Sequence, residues 1–359
     1  MRGNFLILIA FILAAAFCNA QENDTIAKKI EPLSNVQFQL DNTTQEQEKQ
    51  KNFLQHGVTL EKQWHVINIG GQTFKTFIYA VTKPSNPQLE DIFSRKRLYG
   101  PSQYDSRIEI AQLKPEVDWQ QAIYSKSESV AMIVEKENLI KISPDIYQLN
   151  TAVTLKGRYK LCEGEAFANQ IVVGCGTAFI IDKNSMMTAA HVFQRPLKNY
   201  AVVFGYRVIN RLGTAETSIP SEDVYFPVEI TKSYSDLDIV KFRTDREIKR
   251  PVLQWEKSKG LKNGSEIYML GYPMGLPEKL TINADISDNS NFHYFYTSLD
   301  SFQGNSGSPV FNYETHKIIG VLVSGMADYE LHGDCYKNSS CRQPDCIGEK
   351  VIRMEHVIE

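Results

Sequence analysis

The stretch Asp300-Ser-Phe-Gln-Gly-Asn-Ser-Gly-Ser-Pro-Val310 sets Ser306 in a tight glycine turn just ahead of an apolar run. A serine hydroxyl is a weak nucleophile unless a general base takes its proton and a third group holds that base in place. Both partners stand upstream. Thr188-Ala-Ala-His191 follows the strand-like run Gly176-Thr-Ala-Phe-Ile-Ile181, and Asp236-Leu-Asp238-Ile-Val-Lys-Phe242 puts an acid at the mouth of another apolar strand. The order along the chain is His191, Asp238, Ser306. Asp238 directly precedes Ile239 and Val240 and is assigned as the acid, which leaves Asp236 as a solvated neighbour. A serine between glycines is otherwise a common turn, and a single histidine among seven is otherwise a structural one. It is the three segments together that point to nucleophilic catalysis.

From about Thr151 onward, short apolar runs alternate with turn residues, among them Ile171-Val-Val, Tyr200-Ala-Val-Val-Phe, Ile267-Tyr-Met-Leu and Ile318-Ile-Gly-Val-Leu-Val323. Regular short strands with Gly, Asn and Pro breaks predict an all-β barrel or sandwich. The GxSxG elbow of α/β-hydrolases is not matched, because Ser308 stands where its last glycine would be.

The three segments resemble those of the chymotrypsin/trypsin clan of serine peptidases. Gly304-Asn-Ser-Gly-Ser-Pro-Val310 is most similar to its secreted bacterial-type trypsin-like and glutamyl-endopeptidase-like branch. Leu161-Cys-Glu-Gly-Glu-Ala-Phe-Ala-Asn-Gln170, Gly271-Tyr-Pro-Met-Gly-Leu-Pro277 and Gly348-Glu349 resemble the same subgroup, and the likeness runs from about Leu98 to the C-terminus. It implies two six-stranded antiparallel barrels, roughly residues 150–255 and 256–359. His191 and Asp238 would come from the first, Ser306 from the second, and the site would lie in the cleft between them. The implied chemistry is hydrolysis of a protein or peptide through an acyl-enzyme. The N–H groups of Gly304 and Ser306 would form the oxyanion hole, and no metal or organic cofactor is required.

Two departures from the family pattern bear on regulation and specificity. Trypsin-type zymogens mature when a new N-terminal ammonium pairs with an aspartate just before the nucleophile. Here that residue is the neutral Asn305, so hydrogen bonds are expected to hold the loop instead. Asp300, six residues before Ser306, stands where trypsin carries its pocket aspartate and implies cleavage after Arg or Lys; the alternative is an Asp300 that points away and is solvated or paired locally. Leu322, near the position where glutamyl endopeptidases carry a histidine, argues against Glu specificity.

Cys18 leaves with the leader described below, and five cysteines remain. The look-alike subgroup has cysteines at the positions of Cys162 and Cys175, and the segment between them is consistent with a chain reversal. A Cys162–Cys175 disulfide is therefore expected. Val192 replaces the cysteine that directly follows the histidine in most trypsins. Cys335, Cys341 and Cys346 lie near His332, but their spacing is not that of a CxxC zinc knuckle, and they read as a disulfide plus a leftover thiol.

Arg2, the apolar run Phe5 to Phe17 and Cys18-Asn-Ala20 read as a secretory signal peptide over residues 1–20, too short to span a bilayer. An exported, soluble protein is expected. Residues 21–97 read as an N-terminal extension or propeptide. They hold a polar, Gln-rich stretch with little to bury and strand-like patches at Trp64 to Ile69 and Thr73 to Tyr79 about Gly70-Gly71. A Pro84/Pro87 linker follows, and the dibasic Arg95-Lys-Arg97 ends just before Leu98. The net charge of −3 over 359 residues and the lack of a basic stripe interleaved with aromatics argue against nucleic-acid binding, and no later segment approaches a membrane span. Sequons begin at Asn23, Asn42, Asn263 and Asn338. Two further readings are a catalytically silent peptidase homologue that acts as a binding module, and a secreted serine esterase.

Overall fold

The computed structural model describes residues 105–210, 213–339 and 347–358, with the backbone of residues 59–69 and 72–82. The leader, the Pro84/Pro87 linker, Arg95-Lys-Arg97, Cys341, Cys346 and the sequons at Asn23 and Asn42 lie outside the described residues. Thr59–Ile69 and Gln72–Thr82 pair with one another as a two-stranded sheet about the Gly-Gly turn signal.

The architecture is mostly β, with the double-barrel arrangement expected from the sequence. In the second unit, Glu266–Gly271, Pro309–Asn312, Ile318–Ser324, Glu349–Arg353, Tyr294–Thr297 and Lys279–Asp288 pair in that order. Lys279–Asp288 also pairs back onto Glu266–Gly271, so the ring of six antiparallel strands closes. Closure leaves no unpaired edge within the ring. The length of the bent strand allows it: its first half pairs with Glu266–Gly271 on one side and with Arg107–Glu109 on the other, and its second half turns to meet Tyr294–Thr297. Inside sit Ile267, Met269, Phe295, Val310, Leu322 and Val351, each almost wholly shielded from solvent. Burying a side chain of this size contributes about 1.5–3 kcal/mol.

The first unit is a curled half-barrel of seven antiparallel strands, Val224–Tyr225, Tyr200–Val203, Val130–Glu135, Gly176–Asp182, Ser185–Ala189, Ile239–Thr244 and Pro227–Tyr234. It starts earlier than the expected boundary near residue 150. Val130–Glu135 is a central strand of this sheet, pairing with both Gly176–Asp182 and Tyr200–Val203. Every residue of it is buried, so the run lacks the apolar–polar alternation that marks a half-exposed strand.

The expected Cys162–Cys175 disulfide is not formed; Cys162 is bonded to Cys335. A parallel bridge between Leu161 and Tyr336, with Cys162 N–H donating to Tyr336 O at 2.9 Å, lays the 160s segment along the hairpin Tyr329–His332/Cys335–Asn338. Cys175 instead directly precedes the strand Gly176–Asp182, and its thiol donates to Ile133 O at 3.5 Å. Cys335 is thereby removed from any zinc-ligand set. Asn263 is exposed and Asn338 is half-buried, with its N–H on Glu165.

Candidate active site

His191 leaves the strand Ser185–Ala189 in a single 3-10 turn, Ala190–Val192. The neighbouring strand Ile239–Thr244 runs antiparallel to it, with Ile239 opposite Ala189, so the residue before Ile239 faces the residues after Ala189. That residue is Asp238. It adopts a left-handed conformation, φ +57°, uncommon for a non-glycine residue and of the kind that clusters at functional sites. The conformation lets one residue hold three groups. Its carbonyl accepts Ala190 N–H at 2.8 Å, Oδ1 accepts His191 N–H at 3.0 Å, and Oδ2 lies 2.5 Å from His191 Nδ1. With Nδ1 committed to the carboxylate, Nε2 is left to exchange a proton with a substrate-side group. Asp236 sits exposed in the preceding turn, Ser235–Leu237, and is not the histidine's partner.

Ser306 is half-exposed, while Gly304, Asn305, Gly307 and Ser308 around it are buried. Its loop is packed against the strand that carries His191. Gly307 has φ +86°, and a Cβ there would lie 2.2 Å from Thr177 O and from Thr188 Oγ1 and 2.9 Å from Ala189 N. Only glycine fits so close an approach. Thr177 N–H donates to Ser306 O at 3.0 Å, and Thr177 Oγ1 donates to Gly304 O at 2.8 Å.

The expectation that hydrogen bonds hold this loop matches the geometry. Asn305 N–H donates to Phe302 O at 2.9 Å, closing a turn whose third residue, Gly304, has φ +89°. That position of a type II turn requires positive φ. Gln303 O accepts the Met274 N–H, Gln303 N–H donates to Asp328 Oδ2 at 2.9 Å, and Gly307 N–H donates to Leu322 O at 2.8 Å. A peptide unit is planar and trans, so the Gly304 N–H points opposite to Gln303 O, away from Met274. Among the described residues, neither Gly304 N–H nor Ser306 N–H donates to a backbone carbonyl. Both remain available to a ligand. The Asn305 side chain is buried and makes no hydrogen bond among the described residues; an ionised aspartate there would need a counter-ion.

Asp300 lines a cavity with Ser301, Phe302, Met326, Asp328 and Glu349. It is also paired locally, because its Oδ2 accepts Ser106 N–H at 2.9 Å and Ser106 Oγ at 3.4 Å. Burial, reinforced by Asp105, pushes its carboxyl up to about 6. Burial likewise pushes Asp328 up to about 7 and Glu349 up to about 8. Glu349 accepts Met326 N–H at 3.1 Å and the Ser301 hydroxyl. The cation nearest these acids, Arg107, is engaged by Asp105 through two hydrogen bonds of 2.8 and 2.6 Å and lies 3.7 Å over the Phe302 ring. The cavity is therefore rich in carboxylates and poor in cations. Sequence reading missed Thr177, Asp328 and the pocket role of Glu349, since each acts through partners more than 20 residues distant in the chain.

A model of the trypsin-like peptidase domain matches residues 176–321. No curated protein matches the chain in sequence. Among solved structures, the chain is similar to the Rv3671c protease of M. tuberculosis in its inactive form, with 16% identity over 68% of this chain and 91% of that one and a TM-score of 0.40. It is similar to Deg5, with 16% identity over 69% and 94% and a TM-score of 0.40. It is also similar to a Glu endopeptidase, with 15% identity over 70% and 92% and a TM-score of 0.42. The stretch from Gly176 to Val321 that matches the trypsin-like peptidase domain holds His191, Asp238 and Ser306.

Proposed function

We propose that the protein is a secreted serine endopeptidase. The observation that carries this reading is the His191–Asp238 pair together with a half-exposed Ser306 whose loop is packed on the strand that leads into His191. His191 takes the Ser306 proton as Oγ attacks a peptide carbonyl and returns it to the leaving amine. Asp238 fixes the imidazole and stabilises its charged form. Gly304 and Ser306 N–H groups hold the oxyanion, each worth about 3 kcal/mol in the transition state. Water then hydrolyses the acyl-enzyme by the reverse proton path. A serine-reactive phosphonate probe should label Ser306 in the wild-type chain, and peptides should be turned over. A silent homologue would take up no label, and an esterase would cleave esters alone.

Asp300 at the base of the pocket favours a cationic side chain, Arg or Lys, next to the scissile bond. Asp300→Ser should cost such substrates about two orders of magnitude in kcat/KM through loss of a charge-assisted partner, while substrates with neutral side chains change only a few-fold. Equal losses on both would place Asp300 outside recognition. The extension over residues 21–97 is a removable propeptide on this reading, cut after Arg97, beyond the Pro84/Pro87 linker. If the pocket reads basic residues, the enzyme can make that cut itself. Protein from the native medium should begin at Leu98 and Arg97→Gln should leave a longer form; fully active native enzyme that begins at Gln21 would rule this out.

A further inference from the structure

The peptide between Gln303 and Gly304 decides where an oxyanion-hole donor points, and it has no ion pair to hold it, since Asn305 is neutral. Its carbonyl end rests on Met274 N–H. The peptide before it, Phe302–Gln303, is fixed through its own N–H, which donates to Asp328 Oδ2 at 2.9 Å. Above its raised pKa of about 7, Asp328 is ionised and about twice as strong an acceptor as a neutral group.

Asp328 is itself held from three directions. Its carbonyl accepts Ser339 N–H at 2.8 Å. The next residue, Tyr329, pairs with Asn338 across the hairpin, and its ring lies 5.6 Å from Tyr159 and 6.0 Å from Phe302, the first residue of the oxyanion turn. The far end of the hairpin is tied to Cys162 through Cys335. We infer that Asp328 is a positioning residue for catalysis: by accepting the Gln303 N–H it fixes the Phe302–Gln303 peptide, on which the next peptide pivots, and so helps to hold the Gly304 N–H aimed at the developing oxyanion. This rests on the peptidase reading above and adds to it a residue that touches no reacting atom.

The competing role is that Asp328 is one more charge in the cavity it shares with Asp300 and Glu349. The two roles separate by substitution. Asp328→Asn keeps an oxygen that can accept the Gln303 N–H but removes the charge. Asp328→Ala removes both, and Asp328→Leu removes both while filling the space, which keeps the comparison open if the alanine variant does not fold. Three quantities are measured in the full chain: amide hydrogen exchange at Gln303, the acylation rate on one peptide, and the Kd of a benzamidinium probe in the Ser306→Ala background.

Asp328→Ala or Asp328→Leu should raise exchange at Gln303 at least about tenfold and slow acylation about 10- to 100-fold, below the roughly 100- to 1,000-fold loss for deleting an oxyanion donor outright. Benzamidinium Kd should stay within about threefold in both. Asp328→Asn should keep all three within about threefold of wild type. Unchanged exchange at Gln303 in the alanine or leucine variant overturns the inference. So does an asparagine variant as slow as alanine with weakened benzamidinium binding, which would assign Asp328 to charge recognition. A wild-type chain that neither cleaves peptides nor takes up phosphonate defeats the peptidase reading, whereas exchange at Gln303 reports the Asp328 contact regardless of turnover.

Discussion

Ser306→Ala and His191→Ala should each lower peptide turnover about a million-fold, and the double variant should lose little more. The reason is that nucleophile and base act as a unit: without either one, the remaining group has no proton transfer to perform. Asp238→Ala should cost about ten-thousand-fold, because the imidazole loses the carboxylate 2.5 Å from Nδ1 and the acceptor of its own backbone N–H. Asp236→Ala should change little, since that carboxylate is exposed and outside the His191 contact. Steady-state kinetics on one peptide, with phosphonate labelling to count active sites where Ser306 is kept, measures all five. Near-normal peptidase activity in Ser306→Ala would end the assignment.

What could be read from the chain and what could not divide by the range of the interactions involved. The segments around His191, Asp238 and Ser306 were legible because each carries a local pattern: a histidine after a strand, an acid directly before one, a serine between glycines. Asp238 could be chosen over Asp236 for the same reason, as only the residue adjoining Ile239 lies opposite Ala190 once the two strands pair. The strands of the closed barrel carry turn residues at their ends and were visible. Val130–Glu135 is hard to read from the chain because it is buried throughout, so it has no period-two signature, and no Gly, Asn or Pro break precedes it to mark its start. The disulfide was misassigned because the resemblance and the chain reversal both favoured a nearby partner. Its true partner is 173 residues away and is delivered by the hairpin lying along the 160s segment. Asp328 belongs to the same class: its importance comes from meeting Gln303 across the fold, and nothing in its local sequence marks that contact.

Replacing both cysteines in Cys162→Ser/Cys335→Ser should lower the free energy of unfolding by about 5 kcal/mol, because the bond closes a loop of 173 residues and the entropy it removes from the unfolded chain grows with the logarithm of loop length. Against the roughly 5–15 kcal/mol that holds an ordinary domain folded, that is a third of the stability or more. Urea unfolding of the two forms, compared at equal slope, measures it; a shift below about 1 kcal/mol would show that the 160s segment and the hairpin stay together without the bond. The same variant should also be slower while still folded. Cutting the bond frees the Cys335 end of the hairpin, and the other end carries Tyr329 against Phe302 and Asp328 against Gln303. Loss of the crosslink should therefore reproduce part of the Asp328→Ala phenotype, with faster exchange at Gln303 and slower acylation. If acylation is unaffected under conditions where the variant is fully folded, the Tyr159, Phe302 and Ser339 contacts alone suffice to place Asp328, and the disulfide serves stability only.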